Sequence, residues 1–429
     1  MKKKKILIIS YSYPPANDPA ANRPYYFAKY LNKEKFDISV LTCSNQDSSL
    51  GFSDRKKLND IKMVFIKSFN ISKFRNKNES NIKDKSTKYQ KFKIFVISRI
   101  SKLIIPDKAI VWLPFVIIDV IFNTKKYKSD VIFSTSPHFT NHIIARFIKL
   151  FNRKSIIIND FRDYHYIENF EFDKGLKKYI NKKLEHWIIG KSNAIVTISN
   201  SMKDIYRKRY KKYKNKFRTI YNGYETEKNI EKRNNFNYDL PLTIFYAGSF
   251  YKGLRDPMPL FKAMENLIKN KKIKKNDFKI NIAGNIDNDL LNKIYSLNIS
   301  DRINFLGLLS KDEIKQKYKK SHLLLLIIAN KASHYTGVPI KFYEYFSSRR
   351  PILNIAPKEA EVCNIISKYN IGFNINSNDI NIIENRIIEI FNIYKQKQLE
   401  NFIYFNEIKE FQVENQTKQL ENIINEELL

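Results

Sequence analysis

Short runs of Ile, Val, Leu and Phe recur along the chain, each followed by a polar loop and then by apolar residues at helical spacing. Runs of this length bounded by turn-forming residues predict buried strands, and their alternation with helical segments predicts βα units around parallel sheets. The first half offers "ILIIS", "DISVLT", "MVFIKS", "DVIFSTS", "SIIIND", "AIVTIS" and "RTIYNG". The pattern restarts at 242 with "LTIFYAG" and continues with "FKINIAG", "INFLG", "HLLLLII", "PILNIAP" and "IGFNI". Two sets predict two doubly wound α/β domains, residues 1–223 and 242–399. The segment 224–241, "YETEKNIEKRNNFNYDLP", is polar, lacks an apolar period and ends in proline, so it reads as a linker. A long helical stretch begins near Ile380, and residues 400–429 are expected to form a helix that packs back across the first domain. Ligands of open α/β sheets bind outside the carboxyl ends of the strands, so two such sheets facing a cleft direct the search for a site there.

The longest apolar block, "LIIPDKAIVWLPFVIIDVIF", is interrupted by Pro106, Asp107, Lys108 and Asp119, which argues against a membrane span and for an amphipathic helix from about Ile110 to Phe122. The opening "MKKKK" is followed by only five apolar or small residues before a polar loop, which reads as a strand and not as a signal peptide. A chain of 429 residues with 43% hydrophobic residues, 31 Phe and 26 Tyr has ample material for two cores. Two distant cysteines, Cys43 and Cys363, suggest neither a disulfide framework nor a metal knuckle, and point to a reducing, cytoplasmic setting.

Charge changes the picture most. With 77 basic and 43 acidic residues the net charge is +34, which favours anionic partners: nucleic acid, an acidic membrane face or phosphate-bearing substrates. The basic residues are spread along the chain, with one low-complexity basic stretch at 73–93, read as a mobile basic loop. Nucleic acid is not expected, because no recognised RNA or DNA module appears and the aromatics lie in core-like runs.

Candidate chemistry sits where predicted strands end. After the first strand, "SYSYPPANDPAANRPYYFAKYL" leads through Pro15 into a helix starting near Ala20 to Pro24, whose amides and Arg23 suit an anion. The G-x-G-x-x-G fingerprint of nicotinamide enzymes is absent. "DVIFSTSPHF" brings His138, and "SIIINDFRDYH" sets Asp160, Arg162, Asp163 and His165 just beyond a buried strand. In the second half "FYAGSFYKGLRDP" supplies Gly248, Ser249, Lys252 and Arg255; glycine lets a backbone approach a ligand, and arginine presents a fork for phosphate oxygens. In "GVPIKFYEYFSSRRPIL", Gly337 marks a loop-to-helix junction, Val338 follows it, and Pro339 stands where a first helical turn would begin. Lys341 and Glu344 are three apart on one helix face, and the aromatics around Glu344 predict a packed setting in which its carboxylate needs a hydrogen-bond donor.

Taken in order, "SYSYPP", "DVIFSTSP", "DFRD", "ISNSM", "YNGYE", "YAGSFYKGLRDP", "FLGLLSKDEI" and "GVPIKFYEYFSSRRPIL" resemble the retaining glycosyltransferases of family four, in particular bacterial enzymes of capsular and O-antigen polysaccharide synthesis. The resemblance runs from Ile6 to about Phe391. It implies the GT-B fold: two Rossmann-like domains, the second binding a nucleotide sugar and the first an acceptor. It assigns Glu344 to the ribose hydroxyls, Arg255 and Lys341 to the diphosphate with Lys252 near them, and Gly248, Ser249, Gly337, Val338 and Pro339 to the donor loops. Arg162 and Asp163 take the catalytic place in the first domain, with Pro15, Arg23, His138 and His165 toward the acceptor or a phosphate. The family's paired-glutamate pattern would set an acid at 336, where this chain carries Thr336, and the histidine often found beside the first-domain aspartate is replaced by the pair Arg162 and Asp163. No metal and no cofactor is implied beyond the donor, since fixed cations serve the departing diphosphate. The expected partners are a nucleotide sugar, a saccharide or polyprenyl-linked acceptor, and anionic membrane at the inner face of the cell membrane. Rival readings of the same shape are a sugar-nucleotide epimerase and a non-catalytic scaffold.

Overall fold

The predicted apolar runs all appear as strands in the computed structural model, which describes residues 2–16, 18–46, 58–69, 105–165, 175–225, 236–251, 253–376, 378–402 and 408–429. The basic stretch 73–93, Lys252 and the middle of the predicted linker lie outside the described residues. The chain divides into two compact units: Met1–Ile198 with Met202–Tyr221 and Val413–Leu429, and Ser199–Ser201 with Asn222–Gln412.

In the first unit, strands β1 (Lys4–Ile9), β2 (Phe36–Cys43), β3 (Lys62–Ile66), β4 (Val131–Thr135), β5 (Ile156–Phe161), β6 (Ala194–Thr197) and β7 (Phe217–Thr219) form a parallel sheet in the order β3-β2-β1-β4-β5-β6-β7. The order reverses between β1 and β4, whose paired residues run from Ile6 with Val131 to Ile9 with Ser134. Both faces are covered, which is why the strands read as unbroken apolar runs. Ile6 and Ile8 turn toward a core shared with helix Asn22–Tyr30 and helix Val413–Leu428. Leu7 and Ile9 turn the other way, toward helix Leu113–Phe122 and helix Thr140–Phe151.

The second unit repeats the plan with β8 (Leu242–Ala247), β9 (Phe278–Ala283), β10 (Ile303–Phe305), β11 (Leu323–Ile327), β12 (Ile352–Ile355) and β13 (Gly372–Ile375), in the order β10-β9-β8-β11-β12-β13. Here the reversal falls between β8 and β11, where Leu323 pairs with Ile244. Strand order reverses where ligands bind in folds of this kind.

Three boundaries differ from expectation. The helix predicted from about Ile110 is a tight turn, Lys108–Trp112, followed by the helix Leu113–Phe122, because the Asp107 carboxylate accepts the Ala109 amide hydrogen and Pro114 fits a first helical turn. The terminal helix starts at Val413, not near 400. Short 3-10 turns at Leu399–Phe402 and Lys409–Phe411 precede it, with Phe402 packed on Phe373 and Phe411 on Phe346, so side chains anchored in the second unit hold this stretch out of a continuous helix. Pro339 is an extended capping residue with ψ 146°, and the helix begins one residue later, Ile340–Ser348. Among the described residues no helix is long and apolar enough to cross a membrane.

Candidate functional site

At the end of β8 the chain enters Gly248, whose φ of 137° lies in a region that favours glycine. Its N–H donates to the Ala283 carbonyl at 2.8 Å, and the Gly284 N–H donates to the Gly307 carbonyl at 2.8 Å, so the exits of β8, β9 and β10 are tied together. A Cβ at Gly284 would stand 2.3 Å from the Gly248 carbonyl oxygen, so no side chain fits between these loops. Beyond Gly248 the loop is braced by the Tyr246 hydroxyl donating to the Ser249 carbonyl at 3.0 Å and by Tyr246 stacking on Phe250 at 4.5 Å. The Arg255 N–H returns to the Phe250 carbonyl at 3.0 Å, and its guanidinium lies over Tyr251 at 4.6 Å.

The helix Ile340–Ser348 buries Phe342, Tyr343, Tyr345 and Phe346. Side chains in a first helical turn lean back toward the N-terminus, and Lys341 does so. Its ammonium sits 4.1 Å from the Tyr246 ring centre and within 2.9 Å of where a Cβ on Gly248 would be. It is buried and has no hydrogen-bond partner among the described residues. Burial first, and the Arg255 charge second, lower its pKa from 10.5 to about 7, against the opposing pull of Glu344. A cation held out of water with nothing to pair it is costly unless an anion arrives.

Glu344 behaves differently from the expected packed acid. Its neighbours in sequence are buried, but its own carboxylate is exposed and accepts one hydrogen bond, from the Tyr318 hydroxyl at 3.1 Å. Tyr318, from helix Lys311–Lys320, is wedged edge-on against Tyr345 at 5.2 Å, which aims its hydroxyl. Thr336 is buried, and two residues before it His334 has its pKa lowered by burial and then by the charges of Arg255 and Lys331. Gly337 and Val338 lead from there to the helix. A cavity of about 530 Å³ opens beside this region at the carboxyl ends of β11, β12 and β13, lined by Ile327, Ile355, Ile375, Asn330, Tyr335 and Asp256 among others. Its size and mixed lining suit a polar small molecule. Tyr318 and His334 carried no motif in the sequence, and Tyr246 lay in one without being assigned a role; contacts across the fold single them out.

In the first unit the cluster beyond β5 resolves into two kinds of residue. Asp160 is still inside the strand and fully buried. Arg23 grips it with Nε and Nη2, both at 2.9 Å, and also donates from Nη1 to the Tyr221 carbonyl at 2.7 Å and from Nη2 to the Ile220 carbonyl at 2.9 Å. Thr135 donates to the same carboxylate at 2.7 Å. Arg23 is therefore engaged inside the protein, contrary to the expected point charge beside helix amides. The anion expected at those amides is the protein's own: Asp18 accepts the Ala20 amide at 2.8 Å and the Ser12 hydroxyl at 2.7 Å.

Around this fixed pair stand the other predicted residues. The Arg162 N–H donates to the Ser136 hydroxyl at 2.7 Å, and its guanidinium to the Ala20 carbonyl at 2.6 Å. Asp163 shows exposed surface, yet the protein packed around it raises its carboxyl pKa, with Arg162 opposing. His138 sits 3.7 Å from the Asp107 carboxylate and edge-on to Tyr11 at 4.8 Å. His165 stacks on Phe139 with ring centres 3.7 Å apart, and Pro15 is exposed. Exits of β1, β4 and β5 thus carry a set of half-exposed polar side chains over a rigid base.

Residues 20–228 match the family model described as Glycosyltransferase Family 4, and residues 226–407 match Glycosyl transferases group 1. Over 181 residues the chain is 25% identical to the O-antigen chain mannosyltransferase RfbU of Salmonella typhimurium, covering 42% of this chain and 46% of that protein, so the chain matches about half the length of this curated relative. Among solved structures it is similar to the lipopolysaccharide outer core galactosyltransferase WaaB in its apo form, at a TM-score of 0.61, 15% identity, and coverage of 98% of this chain and 99% of that one. A glycosyltransferase from Rickettsia africae ESF-5 is similar at a TM-score of 0.61 and 17% identity, with 100% and 99% covered. At these identities the likeness of structure speaks for the fold alone.

Proposed function

The chain belongs to the family 4 type of glycosyltransferases and has the GT-B fold, and from that premise we propose that it moves a sugar from a nucleoside diphosphate sugar to a saccharide or lipid-linked saccharide acceptor, with retention at the anomeric carbon, in cell-surface polysaccharide synthesis. The observation that carries this reading is the buried, unpaired ammonium of Lys341 beside Gly248, with Arg255 close enough to depress its pKa. Two neighbouring cations, one without a hydrogen-bond partner among the described residues, suit a diphosphate, which gains charge as the bond to the sugar breaks; donors fixed before that moment stabilise the transition state without reorganising. Glu344, exposed and steadied by Tyr318, takes the ribose hydroxyls. The cavity beside Asn330 and Tyr335 takes the sugar end of the donor. Departing diphosphate accepts the acceptor's proton, so no protein nucleophile, metal or further cofactor is required. In the first unit Asp163, Arg162, His138 and His165 receive the acceptor, while Arg23 and Asp160 hold the floor beneath them. A lipid-linked acceptor brings the enzyme to the cytoplasmic face of an anionic membrane.

Calorimetric titration with a panel of nucleoside diphosphates and their sugars tests the reading. One nucleotide should bind, and Glu344→Ala should weaken it by about tenfold, the effect of losing one or two hydrogen bonds to ribose. A folded protein that binds none of the panel sinks the proposal.

A further inference from the structure

The sheet of the first unit has two ends. The exits of β1, β4 and β5 carry the candidate acceptor side chains, whereas the end where the same strands begin holds a cavity of about 460 Å³, open to solvent and apart from the proposed reaction. Stretches far apart in the sequence meet there. Lys2 to Lys5 lead into β1 and open it, Lys128 precedes β4, and Arg153 and Lys154 stand in the turn before β5. Backbone bonds lock these stretches together: the Asp130 N–H donates to the Lys5 carbonyl at 2.8 Å, and the Ile156 N–H to the Asp130 carbonyl at 2.9 Å.

Six lysines and one arginine thus line one cavity, against a single acid. That acid, Asp130, accepts the Lys5 N–H at 2.7 Å. None of the seven cationic side chains has an ion pair, a hydrogen bond or a ring contact among the described residues. The neutral polar groups of the lining are satisfied within the protein: the Ser155 hydroxyl donates to the Ser129 carbonyl, and Asn152 to the Tyr127 carbonyl at 3.1 Å. Cations near the end of a helix answer its last carbonyls, and the helix Thr140–Phe151 ends in this cavity. A helix end amounts to only about half a charge, however, and Asn152 already reaches the Ile148 carbonyl in that last turn. Seven like charges gathered from three stretches exceed that need, and they repel one another until an anion joins them.

Phe151 adds a second chemistry. It stands in the same lining at 46% exposure, with its ring set edge-on against Phe147 at 5.5 Å. An aromatic face held beside a lysine cluster suits a base stacked on the ring with its phosphates among the cations. Lysines act as mobile point charges, which follow a chain of phosphates better than they fork a single carboxylate. A cavity of this size takes one small molecule.

We propose that this cavity is a second nucleotide site, binding a nucleoside triphosphate or a nucleoside with a longer phosphate chain. It lies at the opposite end of the sheet from the acceptor residues, and none of its lining belongs to the donor site. The inference is independent of both.

The test uses the full chain carrying Lys341→Met, so that nucleotide held at the donor site does not enter the signal. Inorganic tripolyphosphate and the adenosine and guanosine triphosphates are titrated in by calorimetry without divalent metal, and the melting temperature is followed alongside. Tripolyphosphate and at least one nucleotide should bind, raise the melting temperature and weaken as salt is raised. Lys128→Gln with Lys154→Gln should weaken both kinds of ligand about tenfold or more. Phe151→Ala should weaken the nucleotide about fivefold or more and leave tripolyphosphate as it was. Lys293→Gln, an exposed lysine in the second unit, should change neither. A chain that takes up none of these ligands overturns the proposal, as does binding that the double glutamine variant leaves unchanged. Nucleotide held equally well by Phe151→Ala overturns it too, because no base then meets the ring. Phosphatidylglycerol vesicles that displace the nucleotide, or a single-stranded oligonucleotide that binds more tightly and is lost in the same double variant, assign the cavity to lipid or to nucleic acid instead and overturn it.

Discussion

Two buried cations, one in each unit, sit near the carboxyl ends of parallel strands and behave in opposite ways. Arg23 is closed on all sides by a carboxylate and two carbonyls of its own protein. The Lys341 ammonium is buried too, but among the described residues it has no hydrogen-bond partner: an aromatic face, a glycine and another cation stand near it, with the charge of Glu344 in partial opposition. The first arrangement is complete and belongs to the fold. The second leaves its ammonium without a hydrogen-bond partner among the described residues, which is why the proposed reading sets an anionic ligand there. Partnering therefore separates structural charge from functional charge better than residue type or position does.

The sharpest way to break this comparison is to remove the partner from the closed pair. Asp160→Ala leaves the Arg23 guanidinium buried against carbonyls alone and should cost about 3–5 kcal/mol of stability, read by denaturant unfolding. A loss below about 1 kcal/mol would mean that the pair is solvated and the contrast with Lys341 is false. Lys341→Met should do the reverse. Stability should hold or rise, while nucleoside diphosphate affinity falls by about 2–4 kcal/mol, since a buried charge meets the ligand there. Smaller effects should follow Gly248→Ala, which strains a φ of 137° and sets a methyl against the Lys341 ammonium. About 1–2 kcal/mol of stability should go with it, and nucleotide affinity should fall because the ammonium is displaced.

Protonation sharpens the comparison last and most finely. The Lys341 amine titrates near 7 in the folded protein and near 10.5 when unfolded. Between those values the unfolded chain holds a proton that the folded chain lacks, so stability from this group rises with pH across that window and its unfavourable contribution is fullest below about pH 7. A bound diphosphate favours the charged amine and pulls its pKa back up. At about pH 8 binding should take up as much as about one proton, seen as a heat that changes with the ionisation enthalpy of the buffer. Equal heats in wild type and Lys341→Met would remove Lys341 from the binding site.

Much of this was legible along the chain, for a physical reason. Strands of parallel sheets are buried on both faces, so runs such as "SIIIND" and "HLLLLII" announce themselves without any tertiary information. Gly248, Arg255, Arg162 and Asp163 stand beyond the ends of strands, as the sequence pattern led one to expect, because strand exits are read directly from the apolar runs. The helix start at Val413 was not legible, because it depends on Phe402 and Phe411 finding aromatic partners elsewhere. Nor was the engagement of Arg23, whose carboxylate lies 137 residues away.

From the sequence alone come two doubly wound sheets, the family resemblance and the places where chemistry gathers, since each rests on local pattern: burial periodicity, turn residues and motif spacing. Only the tertiary structure decided which charges are free. Asp160 and Asp163 are three residues apart and look alike in the sequence, but one is locked under Arg23 and the other shows exposed surface. Lys341 is marked by its motif along the chain, but only folding buries its ammonium against Tyr246 and Gly248. Desolvation and pairing depend on neighbours distant along the chain, and those are fixed only when the chain has folded.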